Sequence, residues 1–383
     1  MVTINSAENA LKSVYLGAVT ELLNTKVNPL MTKIEQTSAD VWGKEIRKAV
    51  SAGVNGGIGA GDEAGALPAA HGNHYLQYVT TLKNLYGQIE ISDKAIRASA
   101  NDKGAFTDLL NAEIDGLLKS SKFNLGRMLY GDGSGLLATV MRVIGGKLVV
   151  KDYRNLIEGL TVDIYNGDTL VVAGAHITDI DYGTAQISLD KSLDGVEADF
   201  ELYVQGSRGK EITGLGAIFD TTKPLYGIDR TNVGALKPVI KKNAGALDEV
   251  TIQTVIDKLE TQTSSNVDFI AVSEDVRYAY MEYMSQFKRN IDMMMLDGGF
   301  KSMSFNGIPF VYDRFVPSGT MYLLDTSAFR IHQLCDWRFL ETENGNILRQ
   351  NQGYPVYTAT LVKYCDLICD RPNGQAMITG IVR

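Results

Sequence analysis

From Asn101 to Gly133 the apolar residues Phe106, Leu109, Leu110, Ile114, Leu117, Leu118, Leu125, Met128 and Leu129 recur at three- and four-residue steps. Asp108, Glu113, Asp115, Lys119 and Lys122 fall between them. This period predicts one long amphipathic helix with Leu117 on its buried face. Asn101 or Asp102 can cap its first turn, and the Gly-Asp-Gly-Ser-Gly run from Gly131 supplies residues that stop it. At 1.5 Å per residue, about 28 residues make a rod of roughly 40 Å, long enough to cross a whole domain.

The pattern changes on either side of this helix. Ala7 to Leu23 is amphipathic at helical spacing and is interrupted by Asn28-Pro29. Lys44 to Val50 and Tyr75 to Ile91 alternate in part and predict two extended segments. They are joined by Gly53 to Pro68, GVNGGIGAGDEAGALP, which is too poor in large apolar residues to pack a core. Between Val140 and Gly216 six short alternating runs, VMRVIGGKLVV, LTVDIYNG, DTLVVAG, AHITDIDYG, TAQISLD and DFELYVQG, predict a small β barrel or sandwich inserted into a host domain.

Beyond Asp248 the period switches again. Val250 to Gln262 reads as a helix, Asp268 to Ser273 as a short buried strand, and Glu274 to Phe287 as a second helix. This is the signature of an α/β layer. Phe305 to Val311 and Met321 to Asp325 read as strands around a Pro317–Gly319 turn. From Trp337 the chain predicts a hairpin turned at Asn344-Gly345, a long alternating strand, and a short closing strand at Ala376 to Val382.

Composition narrows the function. A length of 383 residues with 45% hydrophobic content supports two or three packed domains. The net charge of −8 excludes the broad basic surface that sequence-independent nucleic-acid binding needs. No apolar run reaches the roughly 18 residues of a membrane span, and no basic start precedes an apolar core, so a soluble, cytosolic chain is expected. Cys335, Cys365 and Cys369 are odd in number; the last two share one face of an alternating segment and read as buried free thiols.

The candidate chemistry is thin. Gly57, Gly59 and Gly61 lack the third glycine of a dinucleotide fingerprint, and no Gly-Lys-Ser/Thr follows. His71 and His74 offer two metal ligands on a glycine-rich loop and read as solvated turn residues. Asp179 and Asp181 lack the glycine and distant glutamate of a calcium loop and read as a solvated strand face. No Gly-x-Ser-x-Gly elbow or His-Glu-x-x-His is present, and the four histidines flank no nucleophile. No catalytic, cofactor or metal residue is therefore assigned, and a non-enzymatic protein is expected.

The order of elements is familiar as a whole: an arm, a glycine-tipped loop, a spine helix ending in LYGDGSG, an α/β unit carrying FNGIPFVYDRFVPSGTMYLLD, and a terminal DLICDRPNGQAMITGIV. Together these resemble the major capsid proteins of tailed bacteriophages, with the Hong Kong 97 type fold. The resemblance spans nearly the whole chain and implies an α+β fold with an N-terminal arm at 1–40 and an extended loop at 41–96 lying over the neighbouring subunit. It further implies a spine helix and peripheral domain at 97–139, an inserted β domain at 140–216, and peripheral domain and linker at 217–246. An axial α/β domain would follow at 247–334, then long peripheral strands at 335–370 and a terminal axial strand at 371–383. The implied function is self-assembly as hexamers and pentamers into an icosahedral head around double-stranded DNA that is not bound sequence-specifically. The implied partners are further copies of the chain, a portal, and a separate scaffolding protein unless scaffolding is unnecessary, since no acidic helical stretch of about a hundred residues precedes the arm here. Membranes are not expected partners. An encapsulin-like nanocompartment shell is the alternative. Covalent cross-linking of the kind some members use cannot be assigned from the residues.

Overall fold

The computed structural model describes residues 16–25, 27–94, 103–286, 293–295, 301–342 and 345–382. The start of the Ala7 segment, the helix caps Asn101 and Asp102, Phe287 and the turn residue Asn344 lie outside the described residues. Five α-helices are used below: α1 (Leu16–Thr25), α2 (Lys103–Tyr130), α3 (Leu215–Phe219), α4 (Glu249–Thr263) and α5 (Glu274–Gln286).

Helix α2 is the spine that the apolar period predicts, and it stops where Gly131 N donates to Met128 O at 3.1 Å. From Ala112 onward its buried apolar side chains are Ile114, Phe123, Leu125, Met128, Leu129 and Tyr130. Leu117, expected on the buried face, is only half-buried, because past Ile114 the helix runs beside the Lys83–Ser92 strand and a cleft rather than under a closed core. Gly87 on that strand lets them approach: a Cβ there would sit 2.7 Å from Leu117 Cδ1.

The strand Val356–Cys369 is the centre of the sheet beneath the spine. It pairs antiparallel with Lys83–Ser92 from Val356↔Ser92 to Cys365↔Lys83, and on its other edge with Phe329–Phe339. Glu35–Thr37 adds a parallel edge to Phe329–Phe339, and Arg349–Gln350 pairs with the start of the central strand. The strand expected to begin near Trp337 thus begins at Phe329, ahead of the tryptophan.

A second, seven-stranded mixed sheet runs in the order Val239–Lys241, Ala376–Ile378, Met321–Leu324, Phe269–Val272, Ile308–Tyr312, Lys301–Phe305 and Met293–Met295. The segments FIAV and MYLL are apolar throughout because both faces of the sheet are covered. Ile270, Val272, Met321 and Leu323 pack with Ile252, Val255, Leu259, Val276 and Tyr280 of α4 and α5. Phe269, Ala271, Tyr322 and Leu324 belong instead to the spine-helix core. Helix α4 is capped by Asp248, whose side chain accepts from Thr251 N, and ends at Ser264 in the left-handed region.

The segment FNGIPFV, read as one strand, is a turn and a strand. Asn306 and Gly307 both take positive φ, at 50° and 81°, and fold the chain into a hairpin between Lys301–Phe305 and Ile308–Tyr312.

Leu136–Ile144, Lys147–Val150, Thr161–Asn166, Thr169–Asp181, Gln186–Leu189 and Glu201–Val204 close into a six-stranded antiparallel barrel around Val140, Leu148, Val162, Ile164, Ile177, Ile187 and Leu202. Six strands were expected, but they divide differently. VMRVIGGKLVV is a hairpin turned at Gly145-Gly146, whereas the two runs on either side of Gly174 are one 13-residue strand. Gly174 does not end that strand; it sits in a bulge, with its N–H donating to the buried Asp163 carboxylate at 2.7 Å.

The chain leaving the barrel is sewn to the main core by buried polar groups. Asp366 on the central strand accepts from Thr213 N at 2.7 Å and from the Thr213 and Thr80 hydroxyls at 3.0 Å each. Gly214 then crosses the end of the spine so closely that an added Cβ would lie 2.3 Å from Met128 O. Only glycine fits that crossing.

Candidate assembly surfaces

Glu45–Ser51 and Tyr75–Thr81 form an antiparallel hairpin whose base belongs to the subunit's own core. Ile46, Val50 and Tyr78 point inward, the Tyr78 ring lies 5.0 Å from that of Tyr226, and Val79 N donates to Tyr226 O at 3.0 Å. The Tyr226 hydroxyl completes the lock by donating to Leu367 O and accepting from Cys369 N. The flanks of the glycine-rich loop are therefore paired within their own chain: Lys83–Ser92 lies along the central strand and Tyr75–Thr81 along Glu45–Ser51.

What remains unclaimed is the tip. Ala52 N donates to His74 O at 2.8 Å, and beyond that bond residues 53–74 are exposed apart from the half-buried Gly57. Val54, Ile58 and Leu67 stand 91%, 87% and 89% exposed there, a cost that one subunit alone does not offset. Trp42 and Tyr75 extend the apolar surface back to the root of the hairpin, beside Asp40 and Arg47. Further large apolar groups, among them Val250, Tyr354 and Tyr86, are exposed elsewhere.

The residues that suggested chemistry do not converge. His71 and His74 are on the exposed tip. Asp179 lies 3.7 Å from Lys147 on the barrel surface, and Asp181 accepts from Gly183 N and the Thr184 hydroxyl across a turn, bonds that hold its carboxyl below the usual range. Cys365 and Cys369 are buried free thiols; burial pushes Cys365 up to about 12 and Cys369 higher still, so neither is a thiolate at neutral pH. Among the described residues no group of three or more His, Cys, Asp and Glu side chains converges as a metal site. No described helix is long and apolar enough to cross a membrane.

Sequence reading missed the buried ionisable groups. Asp313 is pushed up to about 6 by burial, and Asp366 is raised for the same reason. His332, buried with Nδ1 2.8 Å from Ala39 O, is lowered by desolvation. A charged residue interrupting an apolar run, as Lys363 and Asp366 do in LVKYCDLIC, is the one local signal that marks such positions.

A spine helix lying over a sheet of long strands, a glycine-tipped hairpin, a mixed α/β unit rejoined by the C-terminal strand, and an inserted barrel make up the α+β capsid fold of the Hong Kong 97 type. The solved structures that match are chiefly capsid subunits. The cyanophage A-1(L) capsid asymmetric unit is similar over 97% of this chain and 95% of the other, with TM-score 0.57 at 13% identity. The capsid of the native GTA particle is similar over 93% and 91%, with TM-score 0.49 at 12% identity. The SrpI encapsulin complex from Synechococcus elongatus PCC 7942 is similar over 93% and 89%, with TM-score 0.46 at 10% identity. No family model and no curated protein sequence matches the chain.

Proposed function

We propose that this chain is the major capsid protein of a tailed double-stranded DNA bacteriophage, assembling as hexamers and pentamers into an icosahedral head. The observation that carries the reading is the superposition, along nearly the whole length of both chains, on a cyanophage capsid subunit. The exposed tip supports it, because apolar side chains on a glycine-rich projection find their contacts on a neighbouring copy. The role is structural rather than catalytic, and the protein resides in the virion after assembly in the host cytoplasm. Its partners are other copies of itself, a portal and a separate scaffolding protein, with the genome enclosed but not read.

The sheets support a domain division close to the expected one, with shifted edges. The inserted barrel would span 136–206, since the residues from Glu211 onward are held by the main core. The axial unit would begin at Val239, whose strand pairs with Ala376–Ile378, and would give up Phe329–Leu334 to the peripheral sheet.

Electron microscopy of the purified recombinant protein tests the reading. Closed shells or five- and six-fold rings are expected, and small monodisperse particles at every concentration would overturn it. Shells that recruit a co-expressed cargo peptide and never incorporate a portal would point to a nanocompartment instead.

A further inference from the structure

Near the start of the exposed tip, Asn55 is followed by Gly56, and both are exposed outside any strand or helix. Gly57 N donates to Asn55 Oδ1 at 2.8 Å, which holds the side-chain carbonyl over the backbone that follows it and polarises it. The returning limb of the tip brings His71 to the same place: a Cβ added at Gly56 would lie 3.9 Å from His71 Cδ2, the ring carbon beside Nε2. An amide carbon with its oxygen already held, a peptide nitrogen with no side chain to shield it, and an imidazole thus stand together.

We propose that Asn55 is a self-modifying site, which converts to aspartate and isoaspartate through a succinimide, with His71 as the base. His71 takes the Gly56 N–H proton as that nitrogen attacks Asn55 Cγ, forming the N–Cγ bond. Negative charge gathers on Oδ1, where the Gly57 N–H receives it. The proton passes to Nδ2, the Cγ–Nδ2 bond breaks, and ammonia leaves. One water then opens the ring: breaking the Gly56 N–Cγ bond gives aspartate, and breaking the bond from Gly56 N to the Asn55 backbone carbonyl gives isoaspartate. Water is the only co-reactant, and no oxidation occurs.

The fold selects this asparagine over others with the same neighbour. Asn306 precedes Gly307, but a tight hairpin fixes both at positive φ and Asn306 Nδ2 donates to Gln253 Oε1 at 3.1 Å. Asn166 precedes Gly167 and is paired with Thr169 across its turn. Asn373 precedes a buried Gly374 whose N–H is spent on Arg371 O at 3.1 Å. In each, the backbone cannot bend to close a five-membered ring, whereas at Asn55 the attacking geometry is open and a base is at hand. The product places a carboxylate beside Val54 and, in the isoaspartyl form, adds a methylene to the main chain of the tip.

The test is peptide mapping by mass spectrometry of the full, unassembled chain incubated at neutral pH. Trypsin releases the whole tip as Ala49 to Lys83, since no Lys or Arg lies between. That peptide should gain about 1 Da and split into aspartyl and isoaspartyl forms, after a transient loss of about 17 Da, with fragmentation placing the change at Asn55 and not Asn73. The peptides holding Asn166, Asn306 and Asn373 should keep their sequence mass over the same time. His71→Ala should slow the conversion about tenfold, less than the roughly hundredfold given by a base enclosed in an active site. Gly56→Ala should slow it as well; neither substitution touches a core. An unchanged tip peptide would overturn the proposal. So would conversion no faster in the folded chain than in the same chain unfolded in guanidinium, or an undiminished rate in His71→Ala.

Discussion

Arg127, three residues from the end of the spine helix, and Glu211, on the chain leaving the barrel, form an ion pair shut off from water: Nη1 lies 2.9 Å from Oε2, and each side chain is 3% exposed. Asn124 Oδ1 accepts a further bond from the guanidinium. Removing one partner strands the other charge. Glu211→Ala should therefore cost about 3–5 kcal/mol, whereas the double replacement Arg127→Met with Glu211→Leu should recover most of it. Chemical denaturation midpoints of the three variants check this; a single variant as stable as wild type would refute the pair.

That ion pair also decides where the barrel can be cut. Gly209 N donates to Ser134 O at 2.7 Å, so the two ends of the insertion lie side by side and a short linker can bridge them. Replacing 136–206 by such a linker should leave a folded remainder. Removing 140–216 should not, because it also takes Glu211, Thr213, Gly214 and the buried Leu215. Solubility and circular dichroism of the two deletions separate the outcomes, and equal behaviour would show that the exit segment belongs to the barrel.

Deleting 54–72 should spare folding and abolish assembly. The six glycines between Gly53 and Gly65 carry a large conformational entropy, and the apolar side chains beside them meet nothing within the subunit that offsets it. Sedimentation of the deletion, with thermal unfolding alongside, is the check. Normal shells would refute the role, and loss of folding would show that the tip supports its own hairpin.

Asp313 gives a pH dependence of known sign. Burial pushes it up to about 6 from 3.8, its side chain accepts from Phe315 N at 3.1 Å, and the Tyr130 hydroxyl faces it without reaching ordinary hydrogen-bond geometry. Ionisation is disfavoured in the fold, so the group's contribution to stability is full below pH 3.8 and is lost as the pH rises through 6. Asp313→Asn, which keeps the acceptor for Phe315 N, should be more stable than wild type at pH 7.5, by up to about 3 kcal/mol, and the gain should vanish near pH 4. Melting curves across that range measure it; a constant offset would mean that Asp313 does not titrate there.

Local period made the spine helix, the α4–strand–α5 unit and the glycine tip legible, because each is decided by neighbours in sequence. Gly145-Gly146 and Gly174 look alike as strand breakers, yet one pair turns a hairpin and the other glycine sits in a bulge opposite Asp163; the difference lies in the partner strand. The same holds for Leu117, whose half-burial depends on what covers that end of the helix. Pairing of Lys83–Ser92 with Val356–Cys369 was beyond reach, since no local pattern says which distant strand fills an edge. Asn24, Asp336 and Lys363 meet only once three remote segments have been folded together.

The central strand follows both of its long partners along the chain, Lys83–Ser92 far upstream and Phe329–Phe339 just before it. A ribosome therefore makes everything between Ser92 and Val356 before the sheet beneath the spine can close. Until then the unpaired edge of Lys83–Ser92 and the apolar side of the helix are open to other nascent chains. Synthesis itself acts as a timer: a truncated product cannot complete the subunit's main sheet, and incomplete chains are kept out of whatever the finished ones build.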